Sequence, residues 1–253
     1  MVGAIIGDII GSTYEGNATK NYNFELFTPG MTFTDDTVLT IAVADALLHK
    51  KPFDKTIHEW GNKYPNSGYG FNFSIWLSRS DLKPYNSFGN GSAMRVSPVG
   101  FFFNTENEVL EFAKRSAEVT HNHPEGIKGA RAVALAVFLA KTGQNKETIK
   151  SVIAEKFDYD LTSKYKDIKE SYSFDVTCQG SVPEAFIAFF ESSDFESAIR
   201  LAISLGGDAD TQACIAGAIA EAYYQSIPKK FIDKCLPLLT EEMQAVLNLL
   251  YAR

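Results

Sequence analysis

Apolar residues recur at helical spacing along almost the whole chain, and no segment alternates convincingly as a half-buried strand does. That pattern predicts an all-α fold. Residues 35–50 read as one helix, with Val38, Leu39, Ala42, Ala46 and Leu47 available to one face. Thr105 and Glu108 stand at capping-box spacing ahead of another. Pro124 opens a long, mostly apolar helix that ends before Thr142-Gly143. Ser181 and Glu184 repeat the box spacing, and Asp194 is placed to cap the helix that runs to about Ser204. "DTQACIAGAIAEAYY" is helical, and its Ala and Gly permit close packing of helices; a last helix covers about 241–251. "MVGAIIGDIIG" reads as a buried helix interrupted by Asp8, since it lacks the basic stretch that begins a signal peptide. Residues 61–92, rich in Gly, Asn and aromatics, form the least regular part and exceed a simple connection, which marks a functional loop. No linker, repeat or low-complexity tract divides the chain, so one domain over residues 1–253 is expected.

Charge narrows the function. With 31 acidic against 24 basic residues the chain carries −7, and the clustered Lys/Arg of a nucleic-acid or anionic-membrane surface is missing. No run approaches the roughly 20 apolar residues of a membrane span. Cys178, Cys214 and Cys235 are odd in number and widely spaced. They make neither a disulfide framework nor a zinc pair, and imply a reducing, cytoplasmic setting.

The acidic residues are placed unusually. Thr34-Asp35-Asp36-Thr37 heads an apolar helix, where Thr caps and Asp complements the helix dipole. Asp208, Asp210 and Thr211 repeat the pattern at the head of another, and Glu15 stands where the first helix ends. Capping alone does not call for two doubled carboxylates. If the two heads converge, the charges suppress each other's ionisation and require a partner. Neither head contains Lys or Arg, which leaves one or two divalent cations. Asp35 and Asp36 leave one helix turn in different directions and can reach separate metals. Asp208 and Asp210 answer from the other side, with Thr34 and Thr211 as neutral oxygens. An all-oxygen set favours Mg²⁺, Mn²⁺ or Ca²⁺ over structural zinc. Two metals beside a carboxylate are a hydrolytic arrangement.

"SFGNGSAMRVSPVG" offers two readings. Gly89 and Gly91 allow close backbone approach, Ser92 is placed to cap the following turn, and free amides there suit a phosphate. The same residues also make an ordinary tight turn before a helix. Met94 occupies the place of a third Gly, so no dinucleotide fingerprint is completed. In "THNHPEG", His121 and His123 suit contact with ligand phosphate or capping, and lack the further ligands of a zinc site. Tyr69, Phe71, Phe73 and Trp76 serve core packing, or one of them stacks on a purine.

Together, "GAIIGDIIGSTYEG", "FTDDTVLTIAVADALL", "GNGSAMRVSPVG", "THNHPEGIKGA" and "SLGGDADTQACIAGAIAEAYY" resemble the ADP-ribosylglycohydrolase family, from about Gly3 to Tyr224. That family includes dinitrogenase reductase-activating glycohydrolase and the ADP-ribosylarginine hydrolases. The resemblance implies a compact all-α bundle with a dinuclear Mg²⁺ or Mn²⁺ site. It implies that Thr34, Asp35 and Asp36 are ligands from one helix head, and Asp208, Asp210 and Thr211 from the other. Glu15 matches the acidic residue implicated in catalysis beside the metals. Gly89, Asn90, Gly91, Ser92, Ala93 and Met94 match the segment lining the pyrophosphate and ribose, and His121 a nearby ligand contact. The implied reaction is hydrolysis of the α-linked bond between the distal ribose of ADP-ribose and an acceptor, on an ADP-ribosylated protein or small molecule, by a monomer. "THNHP" resembles the arginine-specific branch more than the serine-specific one. No ligand is missing, unlike in the lens-crystallin relatives. The chain is short for the family, which implies a reshaped acceptor side. Two alternatives remain: a non-catalytic ADP-ribose or metal-binding module, and a dinuclear-metal nucleotide phosphohydrolase that cuts the pyrophosphate.

Overall fold

The computed structural model describes residues 1–252, and among them there is helix but no sheet. The first half of the chain carries α1 (Val2–Glu15), α2 (Asp35–His49), α3 (Phe53–Lys63), α4 (Phe71–Leu77), α5 (Gly91–Met94), α6 (Ser97–Phe102) and α7 (Glu106–Glu118). The second half adds α8 (Pro124–Lys141), α9 (Lys146–Phe157), α10 (Tyr165–Lys169), α11 (Cys178–Glu191), α12 (Phe195–Ile203), α13 (Ala209–Tyr224), α14 (Lys229–Cys235) and α15 (Glu241–Tyr251). An isolated antiparallel bridge between Gly89 and Thr177 is the β-pairing present.

The helix boundaries follow their capping chemistry. Thr34 accepts from the Asp36 amide to start α2, and Thr105 accepts from that of Glu108 to start α7. Asp194 and Ser197 close a reciprocal box at α12. His123 accepts from the Glu125 amide, with Pro124 at the first position of α8. At α11 the Ser181–Glu184 expectation is corrected. The helix starts at Cys178, capped by Thr177 through the Gly180 amide, and the Ser181 hydroxyl turns back onto the Thr177 carbonyl at 2.6 Å. The irregular region is also more ordered than its composition implies, since α4 sits inside it.

α13 lies at the centre, packed against α1, α8, α11 and α12. Its contact with α1 is backbone to backbone. A Cβ on Gly3 would fall 2.2 Å from the Gly217 carbonyl oxygen, one on Gly7 would fall 2.0 Å from that of Ala213, and one on Gly11 would fall 2.4 Å from the Asp210 Cα. Rising numbers on α1 meet falling numbers on α13, so the two helices are antiparallel. The C-terminal end of α1 therefore meets the N-terminal end of α13. α2 was expected to bury one face; instead it is buried all round from Asp36 to Leu47, because α1, α3, α6 and α15 enclose it.

The closeness of α1 and α13 has a stability consequence. Gly7→Ala should cost ~2 kcal/mol or more, since the obstacle is a backbone carbonyl that no side-chain rotation removes. Urea unfolding of the purified variant measures this. An unchanged midpoint would show that the two helices are free to separate.

Candidate functional site

The end of α1 and the heads of α2 and α13 meet at one place. Asp8, on the same face of α1 two turns before Glu15, is fully buried. It accepts from the Thr34 amide at 3.0 Å, the Thr34 hydroxyl at 2.6 Å and the Thr37 amide at 3.0 Å, and also from the Thr37 hydroxyl. Asp8 thus holds the head of α2 against α1. On the other side the Asp210 carboxylate accepts from the Thr211 amide at 2.9 Å, and Thr211 Oγ1 donates to Asp36 Oδ2 at 3.3 Å. Asp208 accepts from Asn90 Nδ2 at 2.7 Å, which ties the cluster to the glycine loop.

Carboxylate oxygens of Asp8, Asp36 and Asp210 lie within 4.8 Å of one another, and so do those of Glu15, Asp208 and Asp210. Asp210 belongs to both groups. The electrostatics follow from burial without a counter-charge. Burial raises the pKa of Asp8, Asp35, Asp36, Asp208 and Asp210, and neighbouring carboxylates add to the rise at Asp35, Asp36 and Asp210. Glu15, though exposed, is raised by desolvation first and then by Asp208 and Asp8. Among the described residues no Lys or Arg pairs with the cluster; its donors are threonines, Asn90 and amides. Asp36 Oδ1 is buried with no hydrogen-bond partner. An orphaned buried carboxylate oxygen among like charges fits a hard divalent cation, as does the all-oxygen donor set.

These residues border a cavity of about 330 Å³. Glu15, Asp35, Asp36, Asp208, Asp210 and Thr211 line it, as do Gly89, Asn90, Gly91, Met94 and His121. The loop at Gly89–Asn90 is pinned by the Asn90 amide on the Val176 carbonyl at 2.8 Å and the Cys178 amide on that of Phe88 at 2.9 Å. Thr34, Ser92 and Ala93 stand outside the lining. The Thr34 hydroxyl is engaged by Asp8 and the α2 cap. Ser92 does not cap the following turn: Asn90 occupies the cap position of α5, and the buried Ser92 hydroxyl donates to the Gly126 carbonyl at 2.7 Å. Ala93 is core.

Of the four aromatics, Phe73 and Trp76 are buried and Tyr69 stacks on Phe73, whereas Phe71 is 80% exposed at the cavity. Sequence reasoning missed Asp8, Tyr85 and Arg95. Asp8 had a signal, an acidic residue amid an apolar helix and two turns before Glu15.

An all-helical scaffold whose helix ends bring carboxylates together beside a glycine loop defines the class. The profile of the ADP-ribosylglycohydrolase family matches residues 1–253, and the chain belongs to that family. It is 29% identical to the ADP-ribosylhydrolase ARH3 of Gallus gallus, covering 100% of this chain and 92% of the relative. The ARH3 of Homo sapiens is also 29% identical, over 93% of this chain and 87% of its own. A solved structure described as an ADP-ribosylglycohydrolase-related protein complex superposes with a TM-score of 0.77 at 26% identity, covering 99% of this chain and 96% of that one. The Gallus alignment spans 339 residues against the 253 of this chain, so that relative carries insertions absent here. The family supports ADP-ribose hydrolase activity, and no described helix is long and apolar enough to cross a membrane.

The raised carboxylates set a pH dependence. With pKa values above the ordinary 3.8, the folded metal-free protein holds protons that the unfolded chain has released. The stability they contribute is complete below that value and is lost as pH rises through the folded-state values. In chelator, the melting midpoint of wild type relative to Asp36→Asn should fall as pH climbs from about 4 toward neutrality. Added Mg²⁺ or Mn²⁺ should raise the wild-type midpoint most at neutral pH, because the ion binds only the folded state. A neutral-pH midpoint indifferent to both ions rules out ion binding by this cluster.

Proposed function

We propose that this protein is a metal-dependent hydrolase that removes ADP-ribose from an α-linked acceptor, acting as a single-domain monomer in the cytoplasm. The observation that carries this reading is Glu15 within one of two carboxylate groups that overlap at Asp210, at a cavity shared with the Gly89–Gly91 loop. Asp35, Asp36, Asp208 and Asp210 would hold two divalent cations, Mg²⁺ or Mn²⁺, with Thr34 and Thr211 as neutral oxygens. When bound, such ions supply charge for orienting ribose hydroxyls and lowering the pKa of water.

The chain's own residues do the rest. Glu15 sits at the C-terminal end of α1, where the helix dipole gives a carboxylate nothing, and desolvation with the nearby Asp208 and Asp8 raises its pKa, the direction a proton carrier needs. Water adds its oxygen to the anomeric carbon of the distal ribose as the bond to the acceptor breaks. Glu15 accepts the proton of that water and returns it to the departing acceptor. The Gly91 amide faces the pyrophosphate, since the amides of Gly89 and Asn90 are taken by Ser87 Oγ at 3.1 Å and the Val176 carbonyl at 2.8 Å, and the exposed Phe71 ring stacks on adenine. Protein arginine is the first acceptor to test, on the likeness of Thr120–Pro124 noted above.

Arginine-, serine- and nucleic-acid-linked ADP-ribose should be offered side by side. Release of intact ADP-ribose from any of them supports the reading, and release of a nucleoside monophosphate points to the phosphohydrolase alternative. Glu15→Gln should lower turnover by about 10²-fold or more, the lower end for general acid–base catalysis, with ADP-ribose affinity little changed. Near-normal turnover removes Glu15 from the chemistry, and joint loss of ion and ligand binding makes it a ligand. Phe71→Ala should weaken ADP-ribose binding by roughly 5- to 100-fold, the range for loss of an aromatic platform under a base. Calorimetry reads this, and unchanged affinity returns Phe71 to the surface.

A further inference from the structure

Arg95 lies at the end of α5 and is fully buried, yet its Nε and Nη1 have no partner. Its Nη2 donates to the Ser116 carbonyl at 2.8 Å and to Thr120 Oγ1 at 2.9 Å. Burial lowers its pKa to about 10, so it stays charged at neutral pH. Thr120 Oγ1 lies 2.7 Å from His121 Nδ1, and Thr120 is itself fully buried.

The direction of this chain is fixed by what each group can do. A guanidinium only donates, so the Thr120 oxygen accepts from it. The hydroxyl has one hydrogen, and His121 Nδ1 is the partner left for it. An Nδ1–H would leave that buried hydroxyl proton without an acceptor, a costly state in an interior. It would also turn a donor toward the oxygen that Arg95 polarises. Nδ1 therefore accepts, and the ring proton resides on Nε2. Burial, and then the Arg95 charge, oppose a second proton on the ring. Tyr85, whose ring centroid is 6.1 Å away, is raised to about 12 by burial and brings no charge.

Nε2 is the free end. It hydrogen-bonds to no described residue, and His121 lines the cavity. A Cβ on Gly91 would lie 3.1 Å from Nε2, and one on Gly89 3.6 Å, so the imidazole edge occupies the space that side chains on this loop would take.

We infer that Arg95 and Thr120 are positioning residues that lock His121 in its neutral Nε2–H form, so that it offers a donor to a pyrophosphate oxygen of the substrate. The relay stands on the protein alone; the identity of the acceptor oxygen rests on the ADP-ribose reading above. A phosphate oxygen only accepts, so the opposite tautomer would face it with a lone pair.

Imidazole nitrogen spectra of the ¹⁵N-labelled, ligand-free protein test the relay, with His121 assigned by its loss in His121→Gln. Wild type should show a protonated Nε2 and a bare Nδ1 from about pH 5.5 to 8, across the range where a free imidazole titrates. Thr120→Val, which keeps the shape and removes the hydroxyl, should let the Nδ1–H form appear. It should also weaken ADP-ribose binding roughly two- to tenfold, the worth of one hydrogen bond. Thr120→Ser should restore both. Should Thr120→Val fail to fold, the wild-type and Thr120→Ser spectra decide. An Nδ1–H or imidazolium pattern in wild type overturns the proposal, as does an unaltered tautomer in a folded Thr120→Val. The expected spectra in a protein that does not bind ADP-ribose sustain the relay and sink only the ADP-ribose reading.

Discussion

The distance at which the acidic residues face one another is set by the backbone contact of α1 with α13. Glycine on α1 opposite glycine and alanine on α13 lets the helices touch without side chains between them. Interaxial separation depends on the side chains at the contact, and these are the smallest. Because the pair is antiparallel, Glu15 at the end of one helix falls beside Asp208 and Asp210 at the start of the other. Asp8 then draws in the head of α2 through Thr34 and Thr37. Each step needs the one before it: without close α1–α13 packing, three helix ends would not share one cluster.

The cluster is electrostatically unfavourable as it stands, and the protein manages it with dipoles and hydroxyls. Asp35, Asp36 and Asp210 occupy first turns, where helix N-termini favour negative charge by about 0.3–1 kcal/mol each. Threonine hydroxyls, amides and Asn90 hydrogen-bond the carboxylates without adding positive charge. A buried lysine would neutralise the cluster but close it to solute ions. Asp36 Oδ1 is left without a hydrogen-bond partner, which is where the proposed ion would bind. Capping and ion binding are thus compatible uses of the same residues, and the capping reading of Thr34 is true beside the proposed ligand role.

Much of this was legible in the sequence, for a local reason. Caps and apolar periodicity act within a few residues, so the bounds of α2, α8, α12, α13 and α15 follow from neighbours along the chain. The doubled aspartates were legible because two similar helix heads repeat. What was hidden depends on distant partners. Asp8 reads as a blemish in an apolar helix until Thr34 and Thr37 are found folded over it. Ser92 looks like a cap until Gly126 takes its hydroxyl. The start of α11 was set a turn late because Thr177 carries no box partner and Ser181 does. Arg95 gave no sign at all, since a lone arginine after "GSAM" becomes informative only once Ser116 and Thr120 are beside it.

The cavity is chemically uneven, and that unevenness matches the proposed ligand. One part holds carboxylates, which alone would repel a pyrophosphate. Another holds the glycine loop and the His121 edge, and the buried Arg95, paired with no acidic group among the described residues, lines the cavity there too. The Phe71 ring adds an exposed apolar surface. ADP-ribose carries hydroxyls at its distal ribose, two anionic phosphates in the middle and a flat base at the far end. Seated with the ribose at the carboxylates, it would put its phosphates against the loop. That seating would also bring the anomeric bond to Glu15, so charge repulsion of the phosphates and the place of the proposed proton carrier favour the same end of the cavity for the distal ribose.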